Sequence, residues 1–359
     1  MLLPKVIVTR RIPPKAWNQL RAQADLVCWE QDCPVDRGWL LDHLPGAEGL
    51  YCLLTDRIDR EVLQFGKRLR VISTMSVGYD HIEIEECTAR GIAVGNTPGI
   101  LTETTADLAF ALLLAAARRI VEGADYVRQG RWVTWSPDLL LGQDVCGATL
   151  GIVGFGRIGQ AVARRAQGFQ MNVLAVRSPH GVGGSPRVSV SSGPGTQPSS
   201  TQEFHWEVLP PWASHDQSSG SSLKYVDLQE ALAQSDFVSL HVPLTPQTHH
   251  LIGEAELRIM KPSGILINTA RGAVVDTEAL YHALKKGLIG GAALDVTDPE
   301  PFPASHPLLT VPNCLIIPHL GSASVATRTR MACMAAENII AGLRGETFPH
   351  CVNPEVYSV

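Results

Sequence analysis

Three short stretches set ionisable side chains beyond apolar runs: Asn268-Thr269-Ala270-Arg271-Gly272, Asp298-Pro299-Glu300-Pro301 and Pro318-His319-Leu320-Gly321-Ser322. The planar fork of arginine pairs with a carboxylate through two parallel hydrogen bonds, which suits Arg271 to anchoring an acidic substrate. Imidazole changes charge near neutral pH, which suits His319 to donating a proton. A carboxylate beside an imidazolium stabilises its charge and fixes the ring, the part that Glu300 fits. Each residue alone has a plainer reading: a structural ion pair for Arg271, a solvated loop acid for Glu300, a structural ring for His319. The weight lies in the three together, and contact between Glu300 and His319 is not legible in the sequence. His241, His249 and His250 are set aside as lacking the strand-end, glycine-flanked setting of His319. With neither an HExxH motif nor a Cys/His cluster, no metal is expected.

The partner chemistry comes from Gly154-Phe155-Gly156-Arg157-Ile158-Gly159. Three glycines at this spacing are a weak signal alone. Here they follow the apolar run Thr149–Val153 and open an amphipathic stretch, the strand–turn–helix context in which the backbone closes on a pyrophosphate at a helix N-terminus. A ribose contact is expected roughly 20 residues further on. Arg177 stands there (177 − 154 = 23), followed by Ser178. An acid would accept from the 2′-hydroxyl of NAD, whereas arginine favours the 2′-phosphate of NADP. NADP(H) is therefore expected, with NAD(H) as the alternative and a solvated surface arginine as the plainer reading. A cationic anchor, a proton donor and its carboxylate beside a dinucleotide site imply hydride transfer to a 2-oxo-acid.

The elements that must carry these residues alternate. Apolar strand runs lie at 6–9, 50–54 and 70–74, with helices from Pro13-Pro14 to about Ala24 and at 59–66. The run Val94–Gly99 breaks this rhythm, and one long helix is expected from Thr102, as its N-cap, to Ile120. Further strands are expected near 149–153, 172–176, 236–241, 264–268, 291–296 and 314–317, with a helix at 158–167. The pattern predicts α/β parallel sheets covered on both faces. A last helix, 324–343, is expected to pack back on the N-terminal part. This gives a discontinuous domain of 1–103 with 322–359 and a second of 104–321.

The 359 residues allow about two domains. The net charge of −5 argues against a nucleic-acid partner, which would need a clustered basic face. Eight cysteines without a CxxC pair suggest reduced thiols in a cytoplasmic protein. The N-terminus lacks signal-peptide architecture, and the longest apolar run, Leu108 to Ala117, is too short to span a bilayer. In the segment 179–222, 11 Ser, 6 Gly and 6 Pro make up 23 of 44 residues. It is expected to be a mostly disordered insertion, the alternative being a subdomain anchored by Phe204, Trp206 and Trp212.

The run Met260-Lys261-Pro262-Ser263-Gly264-Ile265-Leu266-Ile267-Asn268-Thr269-Ala270-Arg271-Gly272 resembles the D-isomer-specific 2-hydroxyacid dehydrogenases, and the likeness covers nearly all of the chain outside 179–222. Val71 to His81, the region 295–309 and Gly342 to Glu346 are most similar to the animal glyoxylate reductase/hydroxypyruvate reductase branch. The resemblance implies two flavodoxin/Rossmann-like parallel-sheet domains with a cleft between them, a homodimer, and NADPH-dependent reduction of glyoxylate or hydroxypyruvate. It implies that Arg271 and the amides of Val77 and Gly78 bind the substrate carboxylate, that His319 donates the proton and that Glu300 supports it. Gly156, Arg157, Ile158, Pro243, Thr269, Asp295 and Gly321 would line the cofactor beside Gly154 and Gly159. Pro137-Asp138-Leu139 departs from the branch, which has a second tryptophan in the loop after Trp135, and this bears on substrate preference. Two alternatives stay open: a dinucleotide-sensing corepressor-like binding protein of the same fold, and a variant disabled by the insertion.

Overall fold

The computed structural model describes residues 3–176, 222–348 and 350–358. Arg177, Ser178 and the expected insertion 179–222, apart from Ser222, lie outside the described residues. The chain forms two compact units, residues 1–105 with 320–359, and residues 106–319.

The first unit begins with β1 (Lys5–Val8), α1 (Pro14–Arg21), β2 (Asp25–Cys28), α2 (Arg37–His43), β3 (Gly49–Cys52), α3 (Arg60–Phe65), β4 (Val71–Thr74), α4 (Ile84–Ala89) and β5 (Ala93–Gly95). Its five strands are all parallel, in the order β2-β1-β3-β4-β5. This is the flavodoxin-type order, with the switch point between β1 and β3. Strands β3, β4 and β5 are buried along their whole length, as expected when helices cover both faces of a parallel sheet. Two expectations are corrected. The first helix stops at Arg21, because Asp25–Cys28 pairs with β1 as an edge strand. The expected break at 94–99 also begins with a strand, since Ala93–Gly95 pairs with β4.

The second unit holds α5 (Thr102–Ala117) beyond its first turn, α6 (Ile120–Arg128), β6 (Thr149–Val153), α7 (Arg157–Gln167), β7 (Asn172–Val176), β8 (Leu223–Tyr225), α8 (Leu228–Gln234), β9 (Phe237–Leu240), α9 (Glu254–Ile259), β10 (Ile265–Asn268), α10 (Thr277–Lys285), β11 (Gly291–Leu294) and β12 (Cys314–Ile316). Its seven parallel strands run β12-β11-β10-β9-β6-β7-β8. The order reverses between β6 and β9, the place where doubly wound sheets bind ligands beyond their strand ends. Aspartates cap the crossover helices: Asp227 accepts from the Glu230 amide and Asp276 from the Ala279 amide.

The single helix expected over 102–120 is two helices, and Thr102 is its first residue rather than its cap. Arg119 takes a left-handed backbone (φ 51°), which ends α5 and starts α6 in a new direction. The Ala117 carbonyl is taken instead by the Gln143 amide at 2.8 Å.

After the second unit, α11 (Val325–Arg344) returns to the first, with Ser324 capping the Thr327 amide. Its Ala332, Ala335, Ala336 and Ile339 join Val6, Val8, Tyr51 and Val71 in one core. Both ends of the chain therefore build the five-stranded unit.

Candidate active site

The three candidate catalytic residues leave one edge of the seven-stranded sheet. Register pairs Asn268 with Leu294 and Leu294 with Ile316, so β10, β11 and β12 end level. Arg271 follows β10, the loop bearing Glu300 follows β11, and His319 follows β12.

Contact between the carboxylate and the imidazole is direct, with Glu300 Oε1 2.6 Å from His319 Nδ1. The distance is that of a charge-assisted hydrogen bond. With Nδ1–H donated to the carboxylate, Nε2 is the nitrogen left to exchange a proton with a substrate. His319 has a left-handed backbone (φ 53°), a conformation that costs a non-glycine residue roughly 1 kcal/mol or more. Its amide is shared between the carbonyls of Asp295 (2.8 Å) and Ile317 (3.1 Å), which together hold the residue there. The Glu300 loop is pinned close by: Thr297 Oγ1 donates to the Pro299 carbonyl at 2.9 Å, and Thr277 Oγ1, from α10, to the Asp298 carbonyl at 3.0 Å.

Arg271 is set by the turn that follows β10. The buried Asn268 side chain accepts from the Ala270 amide (3.0 Å) and donates to the Arg271 carbonyl (2.8 Å), closing the turn at both ends. The next residue has to be glycine, because a Cβ on Gly272 would lie 1.9 Å from the Thr297 carbonyl oxygen. The guanidinium itself donates from Nη1 to the Ala270 carbonyl at 2.9 Å.

The fingerprint glycines occupy the sheet's switch point. Gly154 ends β6 at φ +94°, and a Cβ there would fall 2.7 Å from the His241 carbonyl. At Gly156 a Cβ would meet nothing within 4 Å, so open room faces the N-terminus of α7. Gly156 caps that helix without a side-chain hydrogen bond, and Arg157 and Ile158 form its first turn. The Thr269 hydroxyl is buried with no partner among the described residues. An open glycine cradle, a helix N-terminus and an orphaned hydroxyl fit a dinucleotide. Pro243 follows β9, its carbonyl held by Thr248 Oγ1 at 2.6 Å, and Asp295 is buried at the end of β11. Gly321 lies in the first unit, where its carbonyl accepts from Thr105 Oγ1 at 3.1 Å. Val77 and Gly78 also lie in the first unit, just beyond β4.

One sequence reading is reversed. His241 is a strand-end residue, the first after β9, and its amide donates to the Val153 carbonyl at 2.7 Å directly behind Gly154. The expected strand 236–241 already ends on this residue; what it lacks is the flanking glycine of His319. Thr277 and Asn268 also carry no local signal for the bonds they make. Ser239 Oγ lies 2.9 Å from His241 Nε2, while Nδ1 is shut off from solvent without a partner. Burial pushes this imidazole down to about 3. An unfolded histidine binds its proton below about 6.5, so between those values only the unfolded chain is charged and stability falls as pH falls. The loss is about 1.4 kcal/mol per pH unit, hence about 2 kcal/mol from pH 7 to pH 5. Denaturant unfolding of His241→Asn at both pH values should lack this share, and equal slopes for the two proteins would refute it.

Among the described residues no group of three His, Cys, Asp or Glu side chains is placed to hold a metal ion, and no helix is long and apolar enough to cross a membrane.

Residues 110–183 and 202–321 match the family model described as D-isomer specific 2-hydroxyacid dehydrogenase, NAD binding domain. Glyoxylate reductase of Korarchaeum cryptofilum is 47% identical over 357 residues, 99% of this chain and 98% of that one. Glyoxylate reductase of Thermococcus litoralis is 44% identical, with 98% of each chain covered. Among solved structures, the TT0316 protein of Thermus thermophilus aligns with a TM-score of 0.82 at 46% identity, covering 97% of this chain and 99% of that one. The NADPH-dependent glyoxylate/hydroxypyruvate reductase of Sinorhizobium meliloti, solved with NADP and malonate, aligns with a TM-score of 0.75 at 28% identity, covering 97% and 96%.

Proposed function

The chain belongs to the D-isomer-specific 2-hydroxyacid dehydrogenase family, an oxidoreductase family with an NAD-binding domain, and from that premise we propose that it reduces small 2-oxo-acids, glyoxylate and hydroxypyruvate, with NADPH. The observation that carries this reading is the 2.6 Å contact between His319 and Glu300 at the edge from which Arg271 also departs. A nicotinamide cofactor, when bound, supplies the hydride.

The chain's own residues do the rest. Arg271 pairs with the substrate carboxylate, joined by the amides of Val77 and Gly78, and so fixes which carbonyl face is presented. His319, protonated on both nitrogens, gives its Nε2 proton to the carbonyl oxygen as that oxygen gains charge. The neutral ring left behind keeps Nδ1–H on Glu300, and the carboxylate stabilises the imidazolium when it reforms. Gly154, Gly156, Arg157, Ile158 and Gly159 hold the pyrophosphate, with Pro243, Thr269, Asp295 and Gly321 as further cofactor contacts. The domain of 104–321 binds the cofactor in this reading, and that of 1–103 with 322–359 binds the substrate.

The preference for NADPH rests on Arg177 and Ser178, which follow directly on β7. It is supported by the NADP-bound Sinorhizobium meliloti enzyme. Oxidation of NADPH and of NADH should be followed with each acid. The wild type should favour NADPH, and Arg177→Asp should reverse the order, with a change of about tenfold or more in the ratio of kcat/KM values. Faster wild-type turnover with NADH would remove Arg177 from cofactor choice, and no turnover of either acid would remove the reading.

The active form in this reading is a homodimer. Helix α6 has no buried residue, although its sequence is amphipathic, and Ile120, Val127, Trp132, Val133 and Trp135 are all more than half exposed in the single chain. Such a patch calls for a partner, here a second copy. Sedimentation should give twice the chain mass, with Val133→Asp shifting it toward one chain. A wild-type mass of one chain would overturn the assignment.

A further inference from the structure

The loop Ser76-Val77-Gly78 follows β4 in the first unit, and each of its carbonyls is bound from behind. The Thr97 amide donates to the Ser76 carbonyl at 2.9 Å. Asn96 Nδ2 donates to the Val77 carbonyl at 2.8 Å, and Ser76 Oγ to the Gly78 carbonyl at 2.6 Å. Among the described residues, no acceptor takes the amide hydrogens of Val77 and Gly78.

In a trans peptide the carbonyl and the N–H of one plane point in opposite directions. The Ser76 carbonyl shares its plane with the Val77 amide, and the Val77 carbonyl with the Gly78 amide. Holding these carbonyls inward therefore turns both N–H groups outward, where successive amides form an anion-binding nest. We propose that Asn96 and Ser76 are positioning residues for the Val77 and Gly78 amides that meet the substrate carboxylate: Asn96 by holding the Val77 carbonyl, whose plane carries the Gly78 amide, and Ser76 by anchoring the Gly78 carbonyl at the far end of the same loop. The inference rests on the proposed reduction of 2-oxo-acids, in which these amides bind that carboxylate.

The side chains that do this are themselves fixed. Asn96 is buried, and its backbone carbonyl accepts from Asn338 Nδ2 at 3.0 Å, with the same nitrogen 3.2 Å from Ser73 Oγ. Ser76 is buried and lies 2.8 Å from Thr74 Oγ1, which lies 3.1 Å from His81 Nε2. The chain of bonds has one direction. A carbonyl can only accept, so Ser76 donates to Gly78, Thr74 donates to Ser76, and His81 Nε2–H donates to Thr74. If Ser76 loses its hydroxyl, the Gly78 carbonyl is freed and the loop can turn. If Asn96 loses its amide, the Val77 carbonyl can swing toward the substrate, where its negative end opposes the carboxylate.

The test measures glyoxylate KM and kcat, the Ki of oxamate as an unreactive oxo-acid mimic, the Kd of NADPH and Tm, for wild type, Ser76→Ala, Asn96→Ala and Ser76→Thr. The two alanine variants should each raise KM and the oxamate Ki about tenfold. Their kcat should stay within about threefold, because binding common to ground and transition states is what is lost. NADPH binding should be unchanged, and Ser76→Thr, which keeps the hydroxyl, should restore KM. Unchanged KM and Ki in both alanine variants, with an active wild type, would overturn the inference alone. So would a fall in kcat and Tm without a change in KM, the mark of a structural role only. A wild type that turns over neither glyoxylate nor hydroxypyruvate would remove the reading, and this inference with it.

Discussion

Replacing His319 with alanine should lower kcat for glyoxylate by about 10²–10⁴-fold, the range by which a positioned acid–base group accelerates a reaction. The substrate oxygen would have to take its proton from water, while Arg271 and the cofactor cradle remain. Alanine must also adopt the left-handed backbone of this position (φ 53°), so a loss of activity alone could reflect a displaced loop. Asparagine tolerates that conformation better and cannot act as a proton donor of this kind. His319→Asn should therefore show the same loss of kcat with an unchanged Tm and unchanged NADPH binding. Glu300→Gln keeps the shape of the partner and removes its charge. A hydrogen bond to a charged group contributes roughly 1.5–3 kcal/mol, so kcat should fall about 10- to 100-fold. Rates for His319→Asn equal to wild type would take the imidazole out of the mechanism, whatever Glu300 does.

Arg271→Ala should lower kcat/KM for glyoxylate by about 30- to 5,000-fold, from the roughly 2–5 kcal/mol lost when one member of a desolvated charge pair is removed. Most of this should appear in KM, since the carboxylate keeps its charge throughout the reaction and is bound alike in ground and transition states. Arg271→Lys should fall between, because a point charge replaces the two-pronged contact. The surrounding turn should survive both changes: its bonds run through Asn268 and through the Arg271 carbonyl, which any residue provides. Binding of NADPH without substrate should be unaltered. Glyoxylate KM values for Arg271→Ala within about twofold of wild type would assign the carboxylate to another group.

Much of this site is legible in the amino-acid sequence. Apolar runs shortly before Arg271 and His319 mark the carboxyl ends of parallel strands, because strands buried on both faces are largely apolar and charged residues are left for the segment beyond them. The glycine fingerprint is legible for a related reason. Only residues without a Cβ fit the backbone of Gly154 at φ +94° or beside the Gly154 carbonyl at Gly159. Strand-to-strand alternation likewise points to parallel α/β sheets, and both units have them. These features are local: each follows from the side chains within one element and the turn beside it.

The relations between elements are not local. Glu300 meets His319 because β11 and β12 stand in register and two threonines pin the loop between them, and no spacing in the chain encodes that register. The bend at Arg119 replaces one expected helix by two because a single left-handed residue outweighs a continuous helical pattern. His241 stands at the end of an expected strand, but only the packing shows that β9 delivers it to the back of Gly154. Local patterning thus marks groups at or beyond the strand ends: the Arg271 guanidinium, the Glu300 carboxylate, the His319 imidazole and a glycine cradle. Which of them touch, and which amides are turned outward, follows from the packing in three dimensions. Hydrogen-bond direction at a loop is set by partners distant in the chain, such as Asn96 behind Val77 and Asn338 behind Asn96.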